Sequence, residues 1–201
     1  MYFSMRKHYV NSLVDKIFRP YYPKNTPFLG DLESRTKIAL VNSHPAVNYP
    51  QSIPPNVIEV GGLQLQEARP LPKLIDRFMN ESIKGAVFVS LGTNVNAKSL
   101  GDERINMFLD VMASLPEYNF LWKMDFDQSK FKISKNVMIE SFFPQRDILG
   151  HHKIKVFVTH GGGLSTQEAI WQGVPMIGIP MFADQPRVCI RCWVSSITYF
   201  S

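Results

Sequence analysis

Apolar runs alternate with amphipathic segments from about residue 71 onward. Five runs rich in β-branched and aromatic residues predict buried strands: "AVFVSL", "NFLWKM", "NVMIESF", "VFVT" and "PMIGIP". Helical spacing separates them, as in "DERINMFLDVMASL", where Ile105, Leu109 and Met112 share one face with Phe108. Near-continuous apolar strands that alternate with helices predict a parallel sheet covered on both faces. This is an α/β, doubly wound, Rossmann-like fold.

The first 66 residues follow a less regular pattern. They contain an amphipathic helix over 10–18, a Pro-rich loop "RPYYPKNTP", and strand candidates over 38–42 and 57–60. So few elements cannot enclose a core of their own. We therefore expect three parts: residues 1–66 as the remnant of an N-terminal domain with its linker, 67–188 as part of a second domain, and 189–201 as an atypical tail.

Polar and glycine residues follow four of the five predicted strands. In open α/β sheets, ligands bind beyond the carboxyl ends of the strands. Ser90, Gly92 and Thr93 come after the first strand, 142–145 after the third, 160–163 after the fourth, and Asp184 with Gln185 after the fifth. Because these ends meet at one edge of a parallel sheet, the four clusters predict one binding site.

The stretch "THGGGLSTQE" joins the fourth strand to a helix that begins near Leu164. Glycines permit a sharp turn and close approach to main-chain N–H groups, and a helix start directs unpaired N–H groups and a positive dipole end at the same place. We expect an anion here, most naturally a phosphate or diphosphate. His160 can donate to that anion, and Glu168, one turn beyond Leu164, can accept two ribose hydroxyls.

Three other functions could use motifs of this kind. An esterase would need a Gly-x-Ser-x-Gly elbow, which is absent, and a dinucleotide dehydrogenase would need a Gly-x-Gly-x-x-Gly spacing that neither glycine stretch has. Taken alone, the motif would favour a tight turn with a buried histidine. The Asp-x-Asp pair of Asp125 and Asp127 resembles a metal clamp, but a solvated loop is the preferred interpretation, and no metal site is predicted.

The composition of the chain limits the class of protein to which it can belong. With 201 residues, 45% hydrophobic and 19% charged, the chain suits a soluble globular domain, and its scattered charges, net +5, do not favour nucleic acid. Neither an apolar run of the roughly 18–20 residues that span a membrane nor a signal peptide is recognised. Cys189 and Cys192 form a CxxC spacing, which we interpret as two ordinary cysteines.

The stretch "FVTHGGGLSTQEAIWQGVPMIGIPMFADQ", residues 157–185, resembles the signature of the UDP-glycosyltransferase family, the UDP-glucuronosyltransferases and their insect relatives. The resemblance extends upstream through "PPNVIEVGGL", "VFVSLGT" and "FFPQRDILGH" and covers about 38–188. It implies a GT-B architecture, with the acceptor bound by the first domain and the UDP-sugar by the second. It also implies inverting transfer of a hexose, glucose or glucuronic acid, to a hydroxyl of a small lipophilic acceptor, with no cofactor besides the donor.

The resemblance assigns roles position by position. Ser90 and His160 contact the diphosphate, Phe142 stacks on uracil, and Gln145 reads the base or ribose. Glu168 holds the ribose hydroxyls, while Asp184 and Gln185 read the sugar hydroxyls. The complete UDP-sugar-binding set comprises Ser90, Gly92, Thr93, Phe142, Gln145, His160, Gly161, Gly162, Gly163, Ser165, Glu168, Asp184 and Gln185.

The sequence departs from the family pattern in three places. Phe142 stands where the family usually has tryptophan, which reduces the stacking area. The family's catalytic histidine and its aspartate belong to a region that does not match here. His44 is not at that position, so no general base is nominated. The tail "CIRCWVSSITYFS" resembles nothing in the family.

Two expectations follow from these departures. The chain taken alone is inactive in transfer, and the alternative function is a non-catalytic UDP-sugar-binding product that associates with full-length enzymes or with itself. The resemblance implies an endoplasmic reticulum membrane protein for the full-length family. The lack of a recognised signal or membrane span here leaves the cytoplasm as the alternative location.

Overall fold

The computed structural model describes residues 9–44, 48, 52–93, 95, 97–181, 185, 186, 188 and 189. The chain divides into two compact units, Met1–Leu63 and Gln64–Ser201. Within the described residues, no helix combines the length and the apolar composition that a membrane crossing requires. Asp184 and Cys192, singled out from the sequence, lie outside the described residues.

The first unit is built from short elements. Helix α1 (Asn11–Phe18) continues into a 3₁₀ turn (Arg19–Tyr21), helix α2 (Leu29–Arg35) follows, and β1 (Ala39–Val41) pairs in parallel with β2 (Val57–Glu59). The predicted helix and both strands are confirmed, whereas α2 was not predicted. The Asp15 carboxylate joins the two helices, since it accepts hydrogen bonds from the Arg19 guanidinium and from the backbone N–H of Leu29.

The second unit is a five-stranded parallel sheet with helices between its strands. The strands are β3 (Gly85–Ser90), β4 (Tyr118–Lys123), β5 (Val137–Glu140), β6 (Ile154–Thr159) and β7 (Met176–Gly178). The helices are α3 (Lys73–Asn80), α4 (Ala97–Leu100), α5 (Asp102–Ala113), α6 (Gln145–Leu149) and α7 (Gly163–Trp171), with a 3₁₀ turn at Gln128–Lys130. All five predicted strands are confirmed.

The strand order in this sheet is β5-β4-β3-β6-β7. The chain adds strands outward from β3 to β5 and then returns to the other side of β3 with β6. Successive connections therefore leave β3 and β6 in opposite directions, which opens a crevice beyond the carboxyl ends of these two strands. Ser90 and Thr159, the last residues of β3 and β6, are register partners at that crevice.

Alternation along the central strands builds a core on each face of the sheet. Val89 and Trp122 pack toward Ile105, Leu109 and Met112 of α5. The neighbouring residues on the same strands, Phe88 and Leu121, face the other way and pack with Met79, Phe143, Ile148 and Phe157. Each fully buried side chain of this size contributes about 1.5–3 kcal/mol, so the two layers hold the strand ends in place.

Candidate functional site

Three residues separate the end of β6 at Thr159 from the start of α7 at Gly163, and the first is His160. Its imidazole packs against two glycines from different loops. A Cβ at Gly92 would lie 2.8 Å from the ring, and a Cβ at Gly162 would lie 2.6 Å from it. Gly162 has an ordinary backbone (φ −64°), so its requirement for glycine is steric. These two glycines make room for the imidazole.

The other two glycines of the motif differ from each other. Gly161 has a φ of +80°, and a Cβ there would lie 2.6 Å from the Cys189 sulfur. The same sulfur closely approaches the place where a Cβ of Gly178 would be. Burial raises the pKa of the Cys189 thiol, which favours its protonated form and agrees with an ordinary packing cysteine. At Gly163, by contrast, a Cβ would meet no atom of the described residues within 4 Å.

Among the described residues, none therefore fills the space beside the first residue of α7. The N-cap of this nine-residue helix is Gly162, which has no side chain with which to cap it. The first intrahelical bond runs from Thr166 N–H to the Gly162 carbonyl, so the amides of residues 163–165 have no acceptor within the helix. Together with the positive end of the helix dipole, they form a place suited to an anion.

Helices α6 and α7 meet through side chains at the same end of the sheet. The Gln145 Nε2 donates to Glu168 Oε2 at 2.7 Å and to Ser165 Oγ at 3.1 Å. All three residues are intermediate in exposure. The structure thus brings together three of the predicted site residues, one from α6 and two from α7.

Adjacent phenylalanines after β5 have opposite environments. Phe143 is 2% exposed, in edge-to-face contact with Phe88, whereas Phe142 is 74% exposed. Phe143 therefore anchors the loop in the core while Phe142 offers a free aromatic face.

The remaining predicted site residues lie at or near the strand ends. Ser90 is buried, and Thr93 is exposed. Gln185 is also buried, and its side-chain carbonyl accepts a hydrogen bond of 2.9 Å from Met181 N–H.

The Asp-x-Asp stretch has a local structural role. The Asp127 carboxylate caps the 3₁₀ turn that follows β4 by accepting hydrogen bonds from the hydroxyl and the backbone N–H of Ser129. These two hydrogen bonds lower the pKa of Asp127, and the bond from the Ser129 hydroxyl has the larger effect. Across the described parts of the chain, no three His, Cys, Asp or Glu side chains gather as metal ligands.

Residues 64–69 also hold α6 and α7, although no sequence pattern predicted them as part of the site. Gln64 Nε2 donates to Gln167 Oε1 at 2.5 Å, and Arg146 Nη1 donates to Gln66 Oε1 at 2.7 Å. The anchors Gln167 and Arg146 are sequence neighbours of Glu168 and Gln145. The one available signal was the alternation in "LQLQ", which places both glutamines on the same side of an extended segment.

The same segment is joined to α6 through a backbone contact. The Asp147 carboxylate accepts from the backbone N–H of Arg69 at 2.9 Å and from Arg146 Nε at 2.8 Å. Burial acts to raise the pKa of Asp147, but these two hydrogen bonds and the charges of Arg146 and Arg69 together give a net downward shift. The carboxylate is therefore the favoured form here.

Comparison with known proteins identifies the family. The pattern of the family described as UDP-glucoronosyl and UDP-glucosyl transferase matches residues 3–192. UDP-glucosyltransferase 2 of Dactylopius coccus is 38% identical over 173 residues, which is 86% of this chain and 33% of that protein. UDP-glucuronosyltransferase 2A2 of Homo sapiens is 36% identical over 186 residues, 87% of this chain and 34% of that protein. The chain thus spans about a third of the length of the curated relatives it matches.

Solved structures agree in fold. The glycotransferase of kitacinnamycin has a TM-score of 0.63 at 22% identity, over 91% of this chain and 46% of that one. Medicago truncatula UGT71G1 complexed with UDP-glucose has a TM-score of 0.55 at 27% identity, over 68% of this chain and 32% of that one. The expected α/β, Rossmann-like fold of GT-B type is confirmed, and the chain belongs to the UDP-glucoronosyl and UDP-glucosyl transferase family.

Proposed function

We propose that this chain supplies the UDP-sugar-binding part of an inverting glycosyltransferase, with residues 67–188 as the donor-binding region. The observation that carries the proposal is the start of α7, where the N-cap is a glycine and no atom of the described residues lies within 4 Å of a Cβ built at Gly163, in a chain of this family. Diphosphate is the part of a UDP-sugar that such a helix start attracts. The transferred group is a hexose, glucose or glucuronic acid, and the acceptor is a small lipophilic alcohol or phenol.

Each part of the nucleotide has a partner in this proposal. The diphosphate takes hydrogen bonds from the first amides of α7 and from His160, the ribose hydroxyls donate to Glu168, and the uracil lies on the exposed face of Phe142. Gln185 and Asp184 bind the hydroxyls of the sugar. Base–aromatic stacking contributes about 1–3 kcal/mol in other proteins, and the smaller phenylalanine ring places the expected value toward the lower end.

The chemistry that these residues support is departure of UDP. In the transfer, a bond forms between the acceptor oxygen and the anomeric carbon while the bond from that carbon to the diphosphate oxygen breaks. Negative charge grows on the diphosphate in the transition state, where preorganised N–H groups and a helix dipole stabilise it most. The acceptor's proton passes to a general base, for which we assign no residue of this chain.

UDP binding tests the proposal directly. Titration calorimetry in the presence of EDTA should show binding, because the helix start and His160 replace a metal ion. The His160→Ala change should weaken UDP by about 1–3 kcal/mol through loss of a hydrogen bond to an anion. The exposed histidine at the other end of the sheet provides the control, since His152→Ala should leave the affinity unchanged. Equal affinity in wild type and His160→Ala, or binding abolished by EDTA, would contradict the assignment.

A further inference from the structure

Residues 64–69, the latch segment, contact both α6 and α7 through residues outside the predicted UDP-binding set. We propose that this segment docks and releases as a unit, and that its docking and the binding of UDP strengthen each other. The inference rests on the proposed function, because it concerns how the two helices of that site are held. It adds a conformational control that the predicted nucleotide contacts do not contain.

Two glutamines fasten the latch segment to the two helices. Gln64 Nε2 donates to Gln167 Oε1 of α7 at 2.5 Å, and Gln66 Oε1 accepts from Arg146 Nη1 of α6 at 2.7 Å. Residues spaced two apart lie on one side of an extended chain. One side of the segment therefore holds α6 and α7 together.

The same spacing continues to Ala68, which packs on the end of α6. A Cβ at Gly150 would overlap the Ala68 side chain, although the φ of Gly150, −81°, suits any residue. Glycine at 150 is thus required sterically, by the docked segment. The next residue completes the attachment, since the backbone N–H of Arg69 donates to the Asp147 carboxylate of α6 at 2.9 Å.

The latch segment also covers the side of a predicted UDP contact. Glu168, the predicted ribose acceptor, lines a narrow space of about 10 Å³ together with Gln64, Gln66 and Arg146. Such a space has room for roughly one water molecule. Release of the segment would therefore expose this side of Glu168 to solvent and remove the bonds that hold α6 beside α7.

The contacts of the latch segment suit a state that can open. Residues 65–70 belong to no helix or strand, and the hydrogen bonds at Gln66 and Arg69 lie at exposed positions. Segments held by few, solvent-exposed hydrogen bonds open locally, without unfolding of the domain. A ligand with higher affinity for the docked form stabilises docking by the ratio of its two affinities, and docking raises the affinity by the same ratio.

Hydrogen exchange at the Arg69 amide measures docking, because this N–H donates to Asp147 in the docked form. The Phe120 amide, which donates to the Asn136 carbonyl within the sheet domain, reports unfolding of the domain. In the wild-type chain, Arg69 should exchange faster than Phe120. Saturating UDP should slow the exchange of Arg69 about fivefold or more, a coupling of ordinary size between two sites.

Gly150→Ala tests the coupling from the other direction. The added methyl group displaces Ala68, so the segment should stay undocked and the Arg69 amide should exchange faster than in wild type. UDP, titrated by calorimetry, should bind this variant more weakly, by up to the factor by which UDP slows Arg69 exchange in wild type. Thermal unfolding verifies that the variant is folded.

Arg146→Ala provides a second variant that introduces no overlap. It removes the bonds to Gln66 and Asp147, and it should accelerate Arg69 exchange and weaken UDP in the same direction as Gly150→Ala. Arg77→Ala is the matched control. Arg77 pairs with Glu81 on the exposed surface of α3, so its removal should change neither measurement.

Several results would overturn the inference. Equal exchange rates at Arg69 and Phe120 would show that the segment opens only when the domain unfolds. Arg69 exchange that does not respond to UDP, or variants that accelerate it without weakening UDP, would show an opening without coupling. Variants that leave Arg69 exchange unchanged would show that these contacts do not hold the segment. Failure of the proposed function looks different, because the wild-type chain would then not bind UDP, and the coupling would fall with it.

Discussion

The two ends of the five-stranded sheet are held by different kinds of contact. At the amino end, buried polar side chains donate to backbone carbonyls: Asn136 to Met112, Leu115 and Tyr118, Asn119 to Phe78, and Ser82 to Met79. At the carboxyl end, the N-cap of α7 is a glycine without a side chain, and the imidazole of His160 is fitted between glycines. Side-chain hydrogen bonds to backbone carbonyls thus hold the amino end, whereas glycines without side chains leave space at the carboxyl end.

This difference indicates what each end is for. Polar groups satisfied inside the protein fix loops and need nothing from outside. Amides without an acceptor within the helix, next to open space, are places where a ligand supplies the missing partner. Changes at the amino end should therefore alter stability alone, whereas changes at the carboxyl end should alter binding. Changes at each end test that division.

The largest effect is expected at Gly162. A methyl group there would lie 2.6 Å from the His160 ring, which also abuts Gly92 and has little room to move. Overpacking of this kind typically costs about 1–3 kcal/mol, and we expect the upper part of that range for Gly162→Ala, together with loss of UDP binding. Urea unfolding measures the first effect and calorimetry the second.

Gly163→Ala is the matched comparison within the same loop. No atom of the described residues lies within 4 Å of the added methyl group, and alanine is favoured over glycine in a helix. Its free energy of unfolding should equal or exceed that of wild type. Equal destabilisation by both substitutions would show that the imidazole packing is not the reason for glycine at 162.

An intermediate effect is expected at the amino end from Asn136→Ala. The change removes three hydrogen bonds to backbone carbonyls of Met112, Leu115 and Tyr118. It also removes Asn136 Oδ1, a buried acceptor without a partner among the described residues, which offsets part of the loss. We expect about 2 kcal/mol less stability by urea unfolding, with unchanged UDP affinity for the folded protein.

The control for this change is Asn80→Ala. Asn80 is exposed on α3 and its amide donates only to the Asp76 side chain, at 3.1 Å. Surface changes of this type usually alter stability by less than about 0.5 kcal/mol. A loss as large as that of Asn136→Ala would show that the buried carbonyl contacts do not set the difference.

The sequence could predict those features whose pattern lies within a short stretch of neighbouring residues. Strands β3 to β7 and helix α5 were predicted because hydrophobic periodicity is local. Helix α2 was missed, since its seven residues, "LGDLESR", give too short a pattern and include a glycine. The clustering of polar residues at strand ends was visible because a parallel sheet gathers them at one edge.

Contacts between distant residues could not be predicted in the same way. Gln64 and Gln167 are 103 positions apart, and no local pattern pairs them. The glycines of the motif were interpreted as a cradle for an anion, and that remains a prediction. The structure adds a second reason for glycine at positions 92 and 162, namely the space that the His160 ring occupies, which only a folded chain can reveal.

The smallest effect is a pH dependence at the amino end, through His151. Its Nδ1 accepts from Lys153 N–H at 3.2 Å, so Nε2 carries the proton and faces Asp76 Oδ1 at 3.2 Å. Protonation would require a hydrogen on Nδ1 and would break the bond from Lys153. Burial is the main cause that lowers the pKa of His151, against the opposing influence of Asp76.

The sign of this effect follows from the lowered pKa. In the unfolded chain a histidine titrates near about 6.5, so below that pH the unfolded chain binds the proton more readily than the folded protein. The stability that His151 contributes is fully present above about pH 6.5 and is lost as the pH falls through the lowered, folded pKa.

His151→Gln retains a donor for Asp76 but no longer titrates, so it should flatten the decline in stability on acidification. Urea unfolding between about pH 5 and 7.5 measures the slope, and the exposed neighbour change His152→Gln should alter it less than His151→Gln does, because His152 lowers the pKa of His151 less than burial does. A slope that disappears in His152→Gln and persists in His151→Gln would place the titration outside the buried network. The amino end would then resemble the carboxyl end in depending on groups that face water.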